Sequence, residues 1–86
     1  MESRVAVISI IVESDENVPQ LNALLHGYGQ YILGRMGIPH HKRGINLISI
    51  ALEAPQDTIA ALAGKIGRLN GITAKTVYSN HIYEED

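Results

Sequence analysis

Side chains able to do chemistry concentrate in the ten residues from Arg35 to Gly44 (RMGIPHHKRG). Arg35, Lys42 and Arg43 carry positive charge, His40 and His41 are adjacent, and Gly37 and Gly44 leave backbone N–H groups open to close approach. A segment of this kind suits an anion or a carboxylate. The guanidinium fork donates paired hydrogen bonds, and N–H groups beside glycines form anion-binding concavities. Arg35, Gly37, His40, His41, Lys42, Arg43 and Gly44 are therefore the candidate ligand-binding residues. The competing reading is a solvated basic turn whose glycines serve geometry alone. His26, His40, His41 and His81 raise the separate question of a metal. Neighbouring histidines on an extended chain point to opposite sides, so His40 and His41 would not chelate one ion together. One of them would have to reach His26 or another subunit. A His-based metal sensor using His26, His40 or His41 is thus an alternative to surface histidines with no metal, and no cofactor is named by the sequence.

Other chemistries lose their reagents. The chain has no Cys, which removes disulfides, thiolate nucleophiles and thiolate metal sites together. It has no serine elbow and no phosphate loop, and Glu13 with Glu53, at matching strand ends, reads as a polar rim rather than an acid and base pair. The expectation is a protein that is not an enzyme. A net charge of −2 lacks the basic footprint of a nucleic-acid binder. With no Phe and no Trp, an RNA-stacking aromatic platform is missing as well. The longest apolar run, Val5 to Val12, is far short of the ~20 residues of a membrane span. No charged leader precedes it, so the expected location is cytoplasmic, without membrane contact.

The elements that must position these residues follow from periodicity. Eighty-six residues, 45% of them apolar, make one compact domain. Arg4 to Glu13 (RVAVISIIVE) is a β-branched apolar run, the pattern of a strand buried on both faces. Asn17 and Gln20 form a capping-box variant, and Val18, Leu21, Leu25 and Tyr28 repeat at helical spacing. Tyr31 to Ile38 reads as an edge strand weakened by glycines and stopped by Pro39. His40 to Gly44 connects it to a strand over Ile45 to Glu53. Pro55 opens a second helix, with Ile59, Leu62, Ile66 and Leu69 in register, ending at Asn70-Gly71. Ile72 to Ser79 is the last strand. The domain spans residues 1–79, followed by a polar tail, residues 80–86, expected to fray unless docked.

The resulting order, βαββαβ, predicts an α+β ferredoxin-like sandwich: an antiparallel sheet with both helices on one face. Crossovers place strands one and three in the middle, taken as parallel, with strands four and two outside. Val7 to Glu13 and Leu47 to Glu53 coincide at an offset of 40 residues, as do Gly27 with Gly67 and Arg35 with Lys75, which predicts two pseudo-symmetric halves. Alternation puts Ala6, Ile8, Ile10, Val12, Ile48, Ile50 and Leu52 on one sheet face. Val5, Val7, Ser9, Ile11, Ile45, Leu47 and Ser49 share the other, with Glu13, Ala51 and Glu53. Two helices cover only one face. The second set is therefore the candidate oligomer interface, predicting a homo-oligomer, a dimer or tetramer, or failing that a surface for a protein partner.

Three segments carry a family likeness: RVAVISIIVE at the start, YILGRMGIPHHKRGINLISI in the middle and LAGKIGRLNGITAK near the end. Over roughly Arg4 to Val77 the chain resembles the iron-only hydrogenase system regulators, small ACT-like proteins similar in fold to the ligand-binding half of the nickel-responsive repressor. The resemblance implies an oligomeric regulatory or sensing domain that binds a small effector. The repressor's nickel ligands include a Cys, absent here, and many ACT domains have a glycine at the first strand-to-helix turn, where this chain has Ser14 to Pro19. No helix-turn-helix remains outside the βαββαβ elements, so regulation would pass through a protein partner, or the family name rests on genomic association.

Overall fold

The computed structural model describes residues 2–84. The order is β1 (Glu2–Val12), a 3-10 turn (Asp15–Asn17), α1 (Val18–Gly27), a second 3-10 turn (Gly29–Tyr31), β2 (Ile32–His40), β3 (Ile45–Ala54), α2 (Gln56–Gly67) and β4 (Ile72–Glu84). The strands form one sheet in the order β2-β3-β1-β4. β1 runs antiparallel to both β3 and β4, correcting the expectation that strands one and three are parallel. The reason is topological. The crossover through α1 brings β2 back parallel to β1, and the tight connection after β2 reverses the chain, so β3 must oppose β1.

Ala6, Ile8, Ile10 and Val12 from β1 and Ile50, Leu52 and Ala54 from β3 point to the side covered by the helices. Leu21 and Leu25 of α1 and Ile59, Leu62 and Ile66 of α2 close over them. The i, i+3, i+4 stripe of each helix supplies this surface. Val18, Leu24, Tyr28, Tyr31 and Tyr78 pack half-buried at its margin.

Boundaries differ from expectation for local reasons. Asn17 makes no cap hydrogen bond. Ser14 Oγ accepts from the Glu16 amide, capping the 3-10 turn, while Asn17 Nδ2 donates to the Asn70 carbonyl at 3.0 Å, tying one helix entrance to the other helix's exit. Pro39 does not stop β2 but sits inside it, opposite Asn46, because on an edge strand the missing N–H can face outward. α2 ends at Gly67, before Asn70-Gly71. β4 continues to Glu84, pairing Ile82, Tyr83 and Glu84 with Arg4, Ser3 and Glu2 after an irregularity, so residues 80–84 are strand rather than tail. Residues 85–86 lie outside the described residues. Arg4 secures the irregularity: Nη2 donates to the Ser79 carbonyl at 2.8 Å, and the guanidinium lies 5.0 Å from the Tyr78 ring centroid.

The offset of 40 has a structural counterpart. Ser9 pairs directly with Ser49, so a local twofold axis passes between them, and Gly27 and Gly67 each end a helix. Arg35 and Lys75 do not correspond. Arg35 pairs with Ile50 on the helix side, whereas Lys75 pairs with Ser9 on the open side, one residue out of step.

Gly71 closes the α2-to-β4 turn at φ +80°, where an added Cβ would meet the Ser14 Cβ at 2.7 Å. Gly44, at φ +69°, faces open space. Gly71→Ala is expected to cost about 2–3 kcal/mol and Gly44→Ala about 1 kcal/mol, since only the first adds a collision to a left-handed backbone. Thermal melting of both variants checks the order, and equal losses would refute the close approach at Ser14.

Candidate functional site

The basic segment is split by the pleat of β2. Arg35, Gly37 and Pro39 point to the helix side, because they pair with Ile50, Ile48 and Asn46. There Arg35 and Gly37 line a groove of ≈ 300 Å³ whose wall is Val12, Val18, Leu21 and Asn22. His40, His41 and Gly44 line a neighbouring groove of ≈ 500 Å³ together with Glu13, Ser14 and Asp15. Pro39 and Asn46 border both, so the two are adjacent. Lys42 and Arg43 lie in the exposed turn and line neither groove. Both volumes fall within or close to the range of small-molecule sites.

Glu13 and Asp15 were not among the expected ligand residues. They arrive because β1 ends beside the β2–β3 hairpin, with the Glu13 amide held to the Gly71 carbonyl at 2.7 Å. The cue in the sequence was the acidic loop after β1, which by itself reads as a polar linker. The paired grooves therefore present a guanidinium at one end and two carboxylates at the other. The arrangement offers a place to bind and orient a small polar molecule. Among the described residues no three His, Cys, Asp or Glu side chains come together as a metal site. His26 sits in the last turn of α1, at the end of the sheet opposite His40 and His41, so the structure does not assemble that set.

On the other side of the sheet no helix packs among the described residues. Val7, Ile11 and Leu47 are 37%, 41% and 39% exposed, with Ser9 exposed and Val5, Ile45 and Ser49 half-buried among them. The edge strands extend this apolar face with Met36 and Ile38 from β2 and Val77 from β4, the last 66% exposed. Sequence alternation missed these three because the glycines and Pro39 of β2 obscure its period, and β4 mixes Thr and Lys with Val. Ser3 Oγ donates to Glu53 Oε2 at 2.8 Å at the rim. A further depression lies between the helices, where Lys65 Nζ donates to Tyr28 Oη at 2.9 Å. No helix is long and apolar enough to cross a membrane among the described residues.

A four-stranded antiparallel sheet in the order 2-3-1-4 with two helices on one face is the ferredoxin-like, ACT-like architecture. Residues 4–76 match the TM1266-like family, described as "Iron-only hydrogenase system regulator, putative", and the chain belongs to that family. It is similar to the uncharacterized protein TM1266 from Thermotoga maritima, at 35% identity and a TM-score of 0.84, over 88% of this chain and 96% of that one. The fold is shared at 16% identity with the ACT domain of GTP pyrophosphokinase from Chlorobium tepidum, with a TM-score of 0.60 over 92% of this chain and 89% of that one. It is also shared with a formyltetrahydrofolate deformylase from Pseudomonas putida KT2440, again at 16% identity, with a TM-score of 0.65. That match covers 90% of this chain and 29% of the enzyme. No curated protein matches the chain.

Proposed function

We propose that this chain is a non-enzymatic regulatory domain that works as a homo-oligomer and takes a small polar effector in the paired grooves at the β2–β3 hairpin. The observation that carries the reading is the contrast between the two sheet faces. Ile8, Ile50 and Leu52 are fully buried beneath the helices, while the alternate residues of the same strands form a broad uncovered apolar surface. An uncovered sheet face of that kind marks an interaction site rather than a solvent surface. Family membership supports a regulatory role. For the effector, Arg35 supplies a forked donor for an anionic group, and Glu13 and Asp15 supply acceptors for a cationic or hydrogen-bonding one, which favours a ligand bearing both.

A native mass spectrum of untagged protein tests both parts. The expected result is a dimer or tetramer, with any retained small mass lost on denaturation and absent from Arg35→Ala. A monomer at about 100 µM overturns the oligomer, since a working self-association needs a dissociation constant below that.

A further inference from the structure

The open face has a pattern that restricts how two copies can meet on it. Across the four strands, one row reads Met36, Ser49, Ser9, Lys75, and the local twofold axis passes between its two serines. The rows on either side are uncharged: Ile38, Leu47, Ile11 and Thr73 toward the hairpin, Gly34, Ala51, Val7 and Val77 away from it. Lys75 is thus the single charge in the three central rows, and it stands on the free edge of β4.

We propose that two copies pack open face to open face about a twofold axis parallel to the strands, so that β1 of each lies over β3 of the other and all four serines meet at the centre. This rests on the self-association proposed above and specifies its geometry. With the serines of both copies brought together at the centre, an in-plane twofold between stacked sheets has three directions to take. An axis across the strands sets Lys75 directly on the partner's Lys75, a like-charge contact. An axis along the diagonal gives orthogonal sheets. Lys75 lies about 7 Å from the local axis, roughly the length of two strand residues, so that crossing drops its ammonium onto the apolar centre, on Val7 and Ala51 or on Ile11 and Leu47. The axis along the strands alone keeps Lys75 at the rim without stacking it on its own copy: its stem covers the partner's Met36 and its head reaches water past the free edge.

The centre is self-complementary in the same arrangement. Each serine hydroxyl both donates and accepts, so Ser9 against the partner's Ser49 satisfies groups that would otherwise be buried without partners. The small side chains also let the two sheets approach closely at the axis, while the larger Val7, Ile11 and Leu47 surround it.

Met36 discriminates among the arrangements because it is exposed on an edge strand and free of the core. Sedimentation equilibrium of Met36→Glu and Met36→Lys, with circular dichroism confirming an unchanged fold, reads the effect. Met36→Glu meets two partner lysines per dimer and should associate on the order of 5-fold more tightly at low salt, a gain lost at high salt, whereas Met36→Lys should associate on the order of 5-fold more weakly. Lys75→Glu combined with Met36→Lys restores an opposite-charge pair with its polarity reversed, and should associate on the order of 5-fold more tightly than wild type at low salt, as Met36→Glu does. Equal weakening by both single variants in an oligomeric protein overturns this packing and leaves self-association standing. A wild-type chain that stays monomeric overturns both.

Discussion

Leu52→Ala should remove a large share of the domain's stability and lower its melting midpoint sharply. Leu52 is fully buried in the middle of the sheet, facing the helices. Truncating a leucine there costs about 2–5 kcal/mol in lost burial and residual cavity. A domain of this length holds only roughly 4–13 kcal/mol in total. Melting followed by circular dichroism should show a midpoint lower by roughly 10–40 °C. The internal control is Leu47, on the same strand but of opposite parity and 39% exposed. Leu47→Ala should change the stability of the isolated chain by less than about 1 kcal/mol. Comparable losses at the two positions would refute the assignment of faces.

Leu47→Asp should do the reverse, leaving the fold intact and abolishing self-association. The carboxylate would stand near the local twofold axis, flanked by Ile11 and Ile38, with the partner's Ile11 rather than a basic group opposite it. Burying an unpaired charge costs several kcal/mol per copy, and a symmetric interface incurs the cost twice, so the association constant should fall by at least about 100-fold. Sedimentation velocity of the variant beside wild type reads this directly. An oligomer that survives Leu47→Asp assembles through another surface.

Much of the fold was legible because its strongest signals are local. Residues Arg4 to Val12 and Ile45 to Glu53 alternate cleanly enough to assign every side chain to a face, and both helical stripes stand where their spacing puts them. What was not legible depends on contacts between elements. Asn17 caps nothing in its own helix and instead donates through Nδ2 to the carbonyl of Asn70, remote in the sequence, and Pro39 is tolerated in β2 only because that strand has a free edge. The polar run after Ser79 carries no strand pattern. It becomes strand because the first residues of β1 extend beyond the core and provide a ladder.

The candidate site divides along the same line. Arg35 and His40 are close in sequence, yet they fall on opposite faces of β2, a consequence of the two-residue period that the cluster of basic residues concealed. Glu13 and Asp15 join the grooves through the topology of the sheet, which brings the end of β1 to the hairpin. Reading the segment Arg35 to Gly44 as one site therefore merged two grooves between which the structure divides it.

The pairing of Glu2 with Glu84 has a consequence for how this domain can be used. The chain enters and leaves at one corner, on adjacent strands, at the end of the sheet remote from the hairpin and its grooves. A domain with that geometry can be inserted into a surface loop of a host protein, or circularly permuted by joining its ends and opening the His41–Gly44 turn, without disturbing either sheet face. Any pull or twist at the spliced corner would travel along β1, which borders the hairpin grooves at one end, so the same strand is the mechanical link between a fused partner and whatever the grooves hold.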